Sequence, residues 1–260
     1  MSPRCFVLLA LLTVPIIETC GADEQRPRIA IIIDDLGYEL TAGERAIALP
    51  GPLTYAILPG TPRAGHLAEK AHAAGKDVLL HLPLQPTSGD ATVDPGSLLL
   101  DMSKREFVDA FRENLAGVPH AIGVNNHRGS LLTRHPGHMS WLMDEISDNR
   151  ALFFVDSFTT ADSVALHIAL EKGVPAVKRD VFLDPDPDPA TLQREFGRLK
   201  ALAEKQGFAV GIGHPYPTTL HFLESALEQL QADGYELVAV RSLVDLPAQN
   251  AAERGLPAAR

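Results

Sequence analysis

The sequence predicts an α/β fold, a closed or nearly closed (β/α) barrel of about seven to eight parallel strands. Three observations predict it. Short apolar runs alternate with longer amphipathic ones, which is the rhythm of βα units. Eight such runs fit within about 230 residues, the size of a single barrel domain. Polar, chemistry-bearing residues sit where the apolar runs end, and in a parallel barrel those ends share one face. A doubly wound open sheet is the alternative that the same rhythm allows.

The first strand is Arg28–Ile33, a run of Ile and Ala that leads directly into Asp34-Asp35. A helix near 40–49 and a strand over Leu53–Leu58 follow. Thr61-Pro62 has the N-cap and N1 pattern of a helix over 62–75, and Gly75 suits its end. The third strand is Asp77–Leu82. Residues 84–101 are rich in Pro, Gly and Asp and long for a simple connection, so they read as a functional loop or lid. Ser103 and Glu106 form a capping box at the head of a helix over 103–117. Strand His120–Val124, helix 136–149, strand Ala151–Val155, helix 160–172 and strand Val174–Val177 come next. Asp184-Pro-Asp-Pro-Asp-Pro189 is a stiff acidic connection within the domain, because the rhythm resumes at once. Helix 189–206, strand Phe208–Ile212, helix 217–233 and strand Glu236–Val240 complete one domain over 28–246, with no internal repeat.

The flanks read differently. Residues 1–22 have the layout of a secretory signal peptide. Arg4 gives a positive start, the stretch from Cys5 to Ile17 is apolar apart from Thr13 and Pro15, and Thr19, Gly21 and Ala22 are small. The plainer reading is an N-terminal anchor or a buried strand. Polar residues 23–27, a short linker, favour export to the periplasm or cell envelope, and 247–260 is expected to be a disordered tail. Cys5 and Cys20 are the two cysteines and both lie in the removable segment, so the mature chain has no disulfide and no thiol nucleophile. Lipidation of Cys20 is a minor alternative, since Ile17-Glu18-Thr19 matches a lipobox poorly. No other stretch is long and apolar enough to span a membrane. With 23 basic against 33 acidic residues and a net charge of −10, no nucleic-acid partner is expected, and no Gly-rich phosphate loop is present. The sequence identifies no protein partner.

The strand ends carry the functional signal. Asp34-Asp35 ends the first, His81 the third, Asn125-Asn126-His127-Arg128-Gly129-Ser130 the fourth and Asp156-Ser157 the fifth. Lys178-Arg179-Asp180 follows the sixth, and Gly213-His214-Pro215 ends the seventh. Each has a bland reading alone: a turn cap, a core histidine, a surface ion pair. Together they converge. Two adjacent carboxylates in a partly buried place call for a cation, though both reach it only if the chain bends there. Asp35, His81 and His127 make the N/O ligand set of a catalytic zinc site. His214 suits a general acid, Asp180 could orient it, and Arg179 could keep a carboxylate ionised. His135 and His138 are expected to face solvent.

These motifs resemble the divergent polysaccharide deacetylase family, a distant branch of the NodB-type carbohydrate esterases. The likeness is carried by Ile29 to Gly37, His81-Leu-Pro-Leu-Gln-Pro86, Gly123 to Ser130, Asp156 to Thr160, Arg179 to Asp184 and Gly213-His214-Pro215, in order over about residues 28–246. The resemblance implies a distorted (β/α) barrel holding a divalent metal, usually zinc, with Asp34 as general base, Asp35 as ligand and His214 as acid. His127 and Ser130 fit the second motif, but Leu131 stands where its second histidine belongs, and His81 is the substitute ligand. Asn125, Asn126, Ser130, Asp156, Ser157, Arg179 and Asp180 are candidates for substrate binding or support. The implied reaction removes N-acetyl groups from an envelope glycan: the metal polarises the carbonyl and activates water, Asp34 takes the proton, and His214 protonates the leaving amine. A non-catalytic glycan-binding or scaffold protein with the same fold is one alternative. A hydrolase of another amide or ester is a second.

Overall fold

A computed structural model describes residues 26–87, 94–149 and 152–244. Residues 1–22, read above as a signal peptide, most of 23–27, the centre of 84–101 and residues 247–260 lie outside the described residues.

Among the described residues nine strands form one sheet: β1 Arg28–Leu36, β2 Thr54–Ile57, β3 Asp77–Leu84, β4 Ala121–Arg128, β5 Phe153–Asp156, β6 Ala176–Lys178, β7 Val181–Phe182, β8 Phe208–Gly213 and β9 Glu236–Leu237. Every pairing is parallel. The order β6-β5-β4-β3-β2-β1-β8-β7 places each strand from β1 to β6 beside its predecessor, with no reversal of winding. That is the order of a barrel and excludes the doubly wound alternative. The two edge strands, β6 and β7, are separated only by Arg179 and Asp180. The Arg179 N–H donates to Asp156 O beside β5, and the Asp180 N–H donates to Val210 O in β8. One chain segment therefore bridges the seam, paired with β5 at its start and with β8 at its end. The distortion expected of the barrel resides here.

Seven α-helices among the described residues cover the outside: α1 Leu40–Ile47, α2 Ala64–Ala73, α3 Lys104–Ala116, α4 Pro136–Asp148, α5 Ala165–Glu171, α6 Pro189–Gln206 and α7 Pro217–Leu230. The capping box at Ser103 and Glu106 is formed, and Asp188 caps α6 through the N–H groups of Ala190 and Thr191. No helix among the described residues is long and apolar enough to cross a membrane.

Burial divides by strand parity. Ile29, Ile31, Ile33, Leu80, Leu82 and Phe154 pack outward in the large cluster shared with the helices. Ala30, Ile32, Leu79, Val155, Val210 and Ile212 fill the barrel interior. Gly123 is required there, because a Cβ at that position would lie 2.8 Å from the Phe153 ring. Val240, Leu243 and Val244 belong to the same interior cluster, and β9 pairs with the first two residues of β1. The C-terminal segment thus plugs the end of the barrel at which the strands start. The other end is left for the site.

Three element expectations need correction. β7 has only two residues, too short to show a period, and it continues the strand read as Val174–Val177. The final strand stops at Leu237, and Val240–Ser242 turns into a 3₁₀ helix as it enters the barrel. His138 is not solvent-facing: it packs against Trp141 with ring centroids 4.6 Å apart, and its Nε2 is buried.

The plug yields a test. Leu243→Ala leaves a cavity in the interior cluster and should cost about 2–5 kcal/mol. Urea denaturation followed by circular dichroism measures it, and a loss within error of zero would contradict the plug.

Candidate active site

Parity delivers the site. Asp34 continues the inward row of Ala30 and Ile32, His81 that of Leu79, and His214 that of Val210 and Ile212. Asn125 and His127 follow Gly123, whose open face meets the inward Phe153 ring. Asp35 should point outward. It does not, because β1 has a bulge between Ile33 and Leu36 and Asp35 adopts a left-handed φ of 59°. The bend brings both carboxylates to the barrel mouth. Arg128 and Phe158 also hold positive φ, so three of the four such non-glycine residues among those described cluster here.

The resulting cavity, about 190 Å³, is lined by Asp34, Asp35, His81, His127, Arg179 and His214 among others. A larger one of about 650 Å³ between α6 and α7 holds no comparable convergence of acid, base and ligand groups. Within the smaller cavity a relay fixes the ring orientations. Asn125 Nδ2 donates to Asp34 Oδ1 at 2.8 Å, so its Oδ1 faces His81 Nδ1 at 2.9 Å and accepts that N–H. His81 Nε2 is left pointing at Asp35 Oδ1, 3.1 Å away. His127 Nδ1 lies 2.9 Å from the same oxygen and 3.2 Å from His81 Nε2, while its Nε2 faces Asp94 at 3.3 Å.

Three electron-rich atoms therefore converge on one point. Asp35 Oδ1 is buried there, with the two imidazole nitrogens as its neighbours. Their spacing is close to the edge of a tetrahedron of metal ligands, about 3.3 Å for bonds of about 2.0–2.1 Å. Asp35, His81 and His127 form the one cluster among the described residues with the geometry to hold a metal ion. Without a cation, protons must fill this role. Burial opposes charge on His81, but the Asp34 and Asp35 carboxylates outweigh it and push its pKa up to about 9. The two histidines hold Asp35 well below the usual carboxylate range against the effect of burial. The donor set fits a divalent metal, which would displace the proton.

Asp34 differs from its neighbour. Burial raises its pKa, only partly offset by His81 and His214. On the opposite wall His214 donates Nδ1–H to Asp184 at 2.9 Å, and Asp184 is further held by the His214 N–H and the Thr219 hydroxyl. Burial lowers the His214 pKa, and the bonded Asp184 and nearby Asp34 raise it overall. Its Nε2 faces the cavity, 3.8 Å from Asp35 Oδ2.

The remaining candidates divide. Asn126 and Ser157 line the cavity, and Asn126 Oδ1 accepts the Ser157 N–H. Arg179 also lines it, anchored by donation to the carbonyls of Ser157 and Phe158. Asp156 is turned away, accepting from the Phe158 N–H and the Ser163 hydroxyl. Ser130 accepts from the Thr87 N–H, outside the cavity lining. Asp180 accepts from the Val210 N–H, so the expectation that it orients His214 is corrected: Asp184 does so. Leu131 begins a 3₁₀ turn and does not line the cavity, while His81 from β3 occupies the ligand cluster. Asp94 and Asp184 escaped the sequence reading. Both sit in acidic, Pro-containing connections that look like spacers, and only the position of Asp184 just after Arg179-Asp180 hinted at a role.

The chain is similar to known proteins over most of its length. The family described as "Divergent polysaccharide deacetylase" matches residues 31–244. An uncharacterised protein of Haemophilus influenzae is 38% identical over 216 residues, 83% of this chain and 76% of that protein. The crystal structure of Atu2773 from Agrobacterium tumefaciens C58 superposes with a TM-score of 0.81 at 25% identity, covering 86% of this chain and 91% of that one. The catalytic domain of a peptidoglycan N-acetylglucosamine deacetylase from Eubacterium rectale shares the fold, with a TM-score of 0.53 at 15% identity, covering 84% and 90%.

The Asp184 contact has a measurable consequence. Because it raises the His214 pKa, the pair stabilises the fold fully below the ordinary imidazole pKa, and the contribution fades as pH rises through the raised value. Asp184→Asn should move the His214 pKa down in an NMR titration of the imidazole. An unmoved pKa would show that Asp184 does not govern the ring.

Proposed function

The chain belongs to the divergent polysaccharide deacetylase family, and from that premise we propose that it is a metal-dependent hydrolase removing N-acetyl groups from an envelope glycan. The observation that carries this reading is the convergence of Asp35, His81 and His127 beside an independently held base and acid.

Asp35, His81 and His127 would hold the metal, and two imidazoles with one carboxylate are a donor set that zinc takes in hydrolases. When bound, such an ion supplies Lewis acidity to the acyl oxygen and to water. The chain's own groups do the rest. Asp34 has Oδ1 tied to Asn125, which leaves Oδ2 to take a proton from the attacking water. Its burial-raised pKa makes it a better base partner than an exposed carboxylate. His214, its Nδ1–H committed to Asp184, presents Nε2–H to the leaving nitrogen. The C–N bond breaks as a C–O bond forms, and acetate and a free amine leave. Arg179, fixed over the mouth by two carbonyls, adds positive potential near Asp34. Asn126, which accepts from the Ser157 N–H and donates to the Arg128 carbonyl, would hold the cavity wall in shape. The signal-like segment 1–22 supports an envelope substrate.

Elemental analysis should find about one zinc per chain, with little in Asp35→Ala or His81→Ala. Absence of metal after zinc is supplied would sink the hydrolase and leave the glycan-binding reading. Acetate release from N-acetylchitooligosaccharides and peptidoglycan fragments, assayed beside small acetate esters, tests the reaction. Asp34→Asn should keep the metal and lose about 10²–10⁴-fold in kcat. Full activity in that variant would remove Asp34 from the mechanism.

A further inference from the structure

Tyr38, Phe182 and Tyr216 are the exposed large hydrophobic side chains among the described residues, at 53%, 36% and 43% exposure. All three surround the site. Phe182 lines the catalytic cavity itself, while Tyr38 and Tyr216 line a second cavity of about 540 Å³. The two cavities share Asp35 and His214, so the second opens directly from the point of reaction.

We infer that the Tyr38–Tyr216 cavity is a glycan subsite, binding a pyranose ring adjacent in the chain to the sugar being deacetylated. The inference rests on the deacetylase reading and deepens it to an oligomeric substrate. Aromatic faces carry negative charge and attract the C–H-rich face of a sugar, and each phenol adds a polar tip. Both rings are mounted on fixed backbone. Tyr216 stands between Pro215 and Pro217 at the start of α7. Tyr38 follows Gly37, whose φ of 137° and close approach to Thr61 allow no Cβ. The Gly37 carbonyl is held by the Arg63 N–H at 2.9 Å. Rings fixed in this way lose little freedom on binding.

The charge around them selects the occupant. Asp35 and Glu39 line the cavity, and its two basic side chains are already paired, Arg45 with Glu224 at 2.9 Å and His214 with Asp184 at 2.9 Å. Each basic group there already has a carboxylate partner, which leaves the net charge of the lining unfavourable to a further carboxylate or phosphate. The subsite therefore takes a neutral or amino sugar and disfavours an acidic one.

Calorimetry with N-acetylglucosamine oligomers of one to five units tests this in the zinc-loaded Asp34→Asn background. Affinity should rise with chain length. Adding Tyr38→Ala or Tyr216→Ala should erase at least about tenfold of that rise, and Tyr→Phe at either position should retain it. An oligomer oxidised to carry carboxylates should bind more weakly than its neutral parent. An unchanged chain-length dependence in both alanine variants would overturn the subsite, as would failure of any oligomer to bind. Acetate release by the unsubstituted protein separates the two claims. Chain-length-dependent binding that needs the tyrosines, without acetate release, would overturn the catalysis and leave the subsite standing.

Discussion

Everything at this site depends on parity inside a small barrel. A residue on a strand has two destinations, the axis or the helices, and the interior is already filled by Ala30, Ile32, Leu79, Val155, Val210 and Ile212. Polar groups on the inward rows lie beyond the apolar layers, at the strand starts, as Thr54 and Asp77 do, or at the strand ends. Asp34, His81, His127 and His214 are those ends. Asp35 breaks parity, and a left-handed residue in β1 is what allows two consecutive carboxylates to serve one cavity.

The same crowding explains why the two carboxylates behave differently. Asp35 meets both imidazoles, and their attraction overcomes its desolvation. Asp34 is more deeply buried, and an amide rather than a cation is its hydrogen-bond partner. Asn125 links the two halves: the amide that leaves Asp34 one free oxygen also sets the His81 tautomer. A single neutral side chain thus orients both a base and a ligand, and substitution there would disturb both at once.

Much of this was legible in the sequence. Isoleucines leading into Asp34-Asp35 and an apolar strand ending in His81 are strong local signals, because burial of the run and polarity at its end have to coexist. Parallel strands then force the ends together. What could not be read depends on geometry that a pattern does not carry. The bulge at Asp35 needs a φ value. β7 is shorter than one alternation. The His214 partner is Asp184 and not Asp180, because Asp180 lies on the seam and its carboxylate turns back to the Val210 N–H. Asp94 is brought to His127 by a long connection whose return path leaves no periodic trace.

β1 leads the domain, yet its partners on one side and at its foot, β8 and β9, come last, and the barrel floor is laid by Val240, Leu243 and Val244. No N-terminal fragment can complete this core, so the domain closes only once the whole chain is present. For a chain read as exported, that ordering has a use. If the chain is exported, a polypeptide that cannot finish folding while its tail is still being made would stay threadable, its interior forming only after the last segment had arrived on the far side.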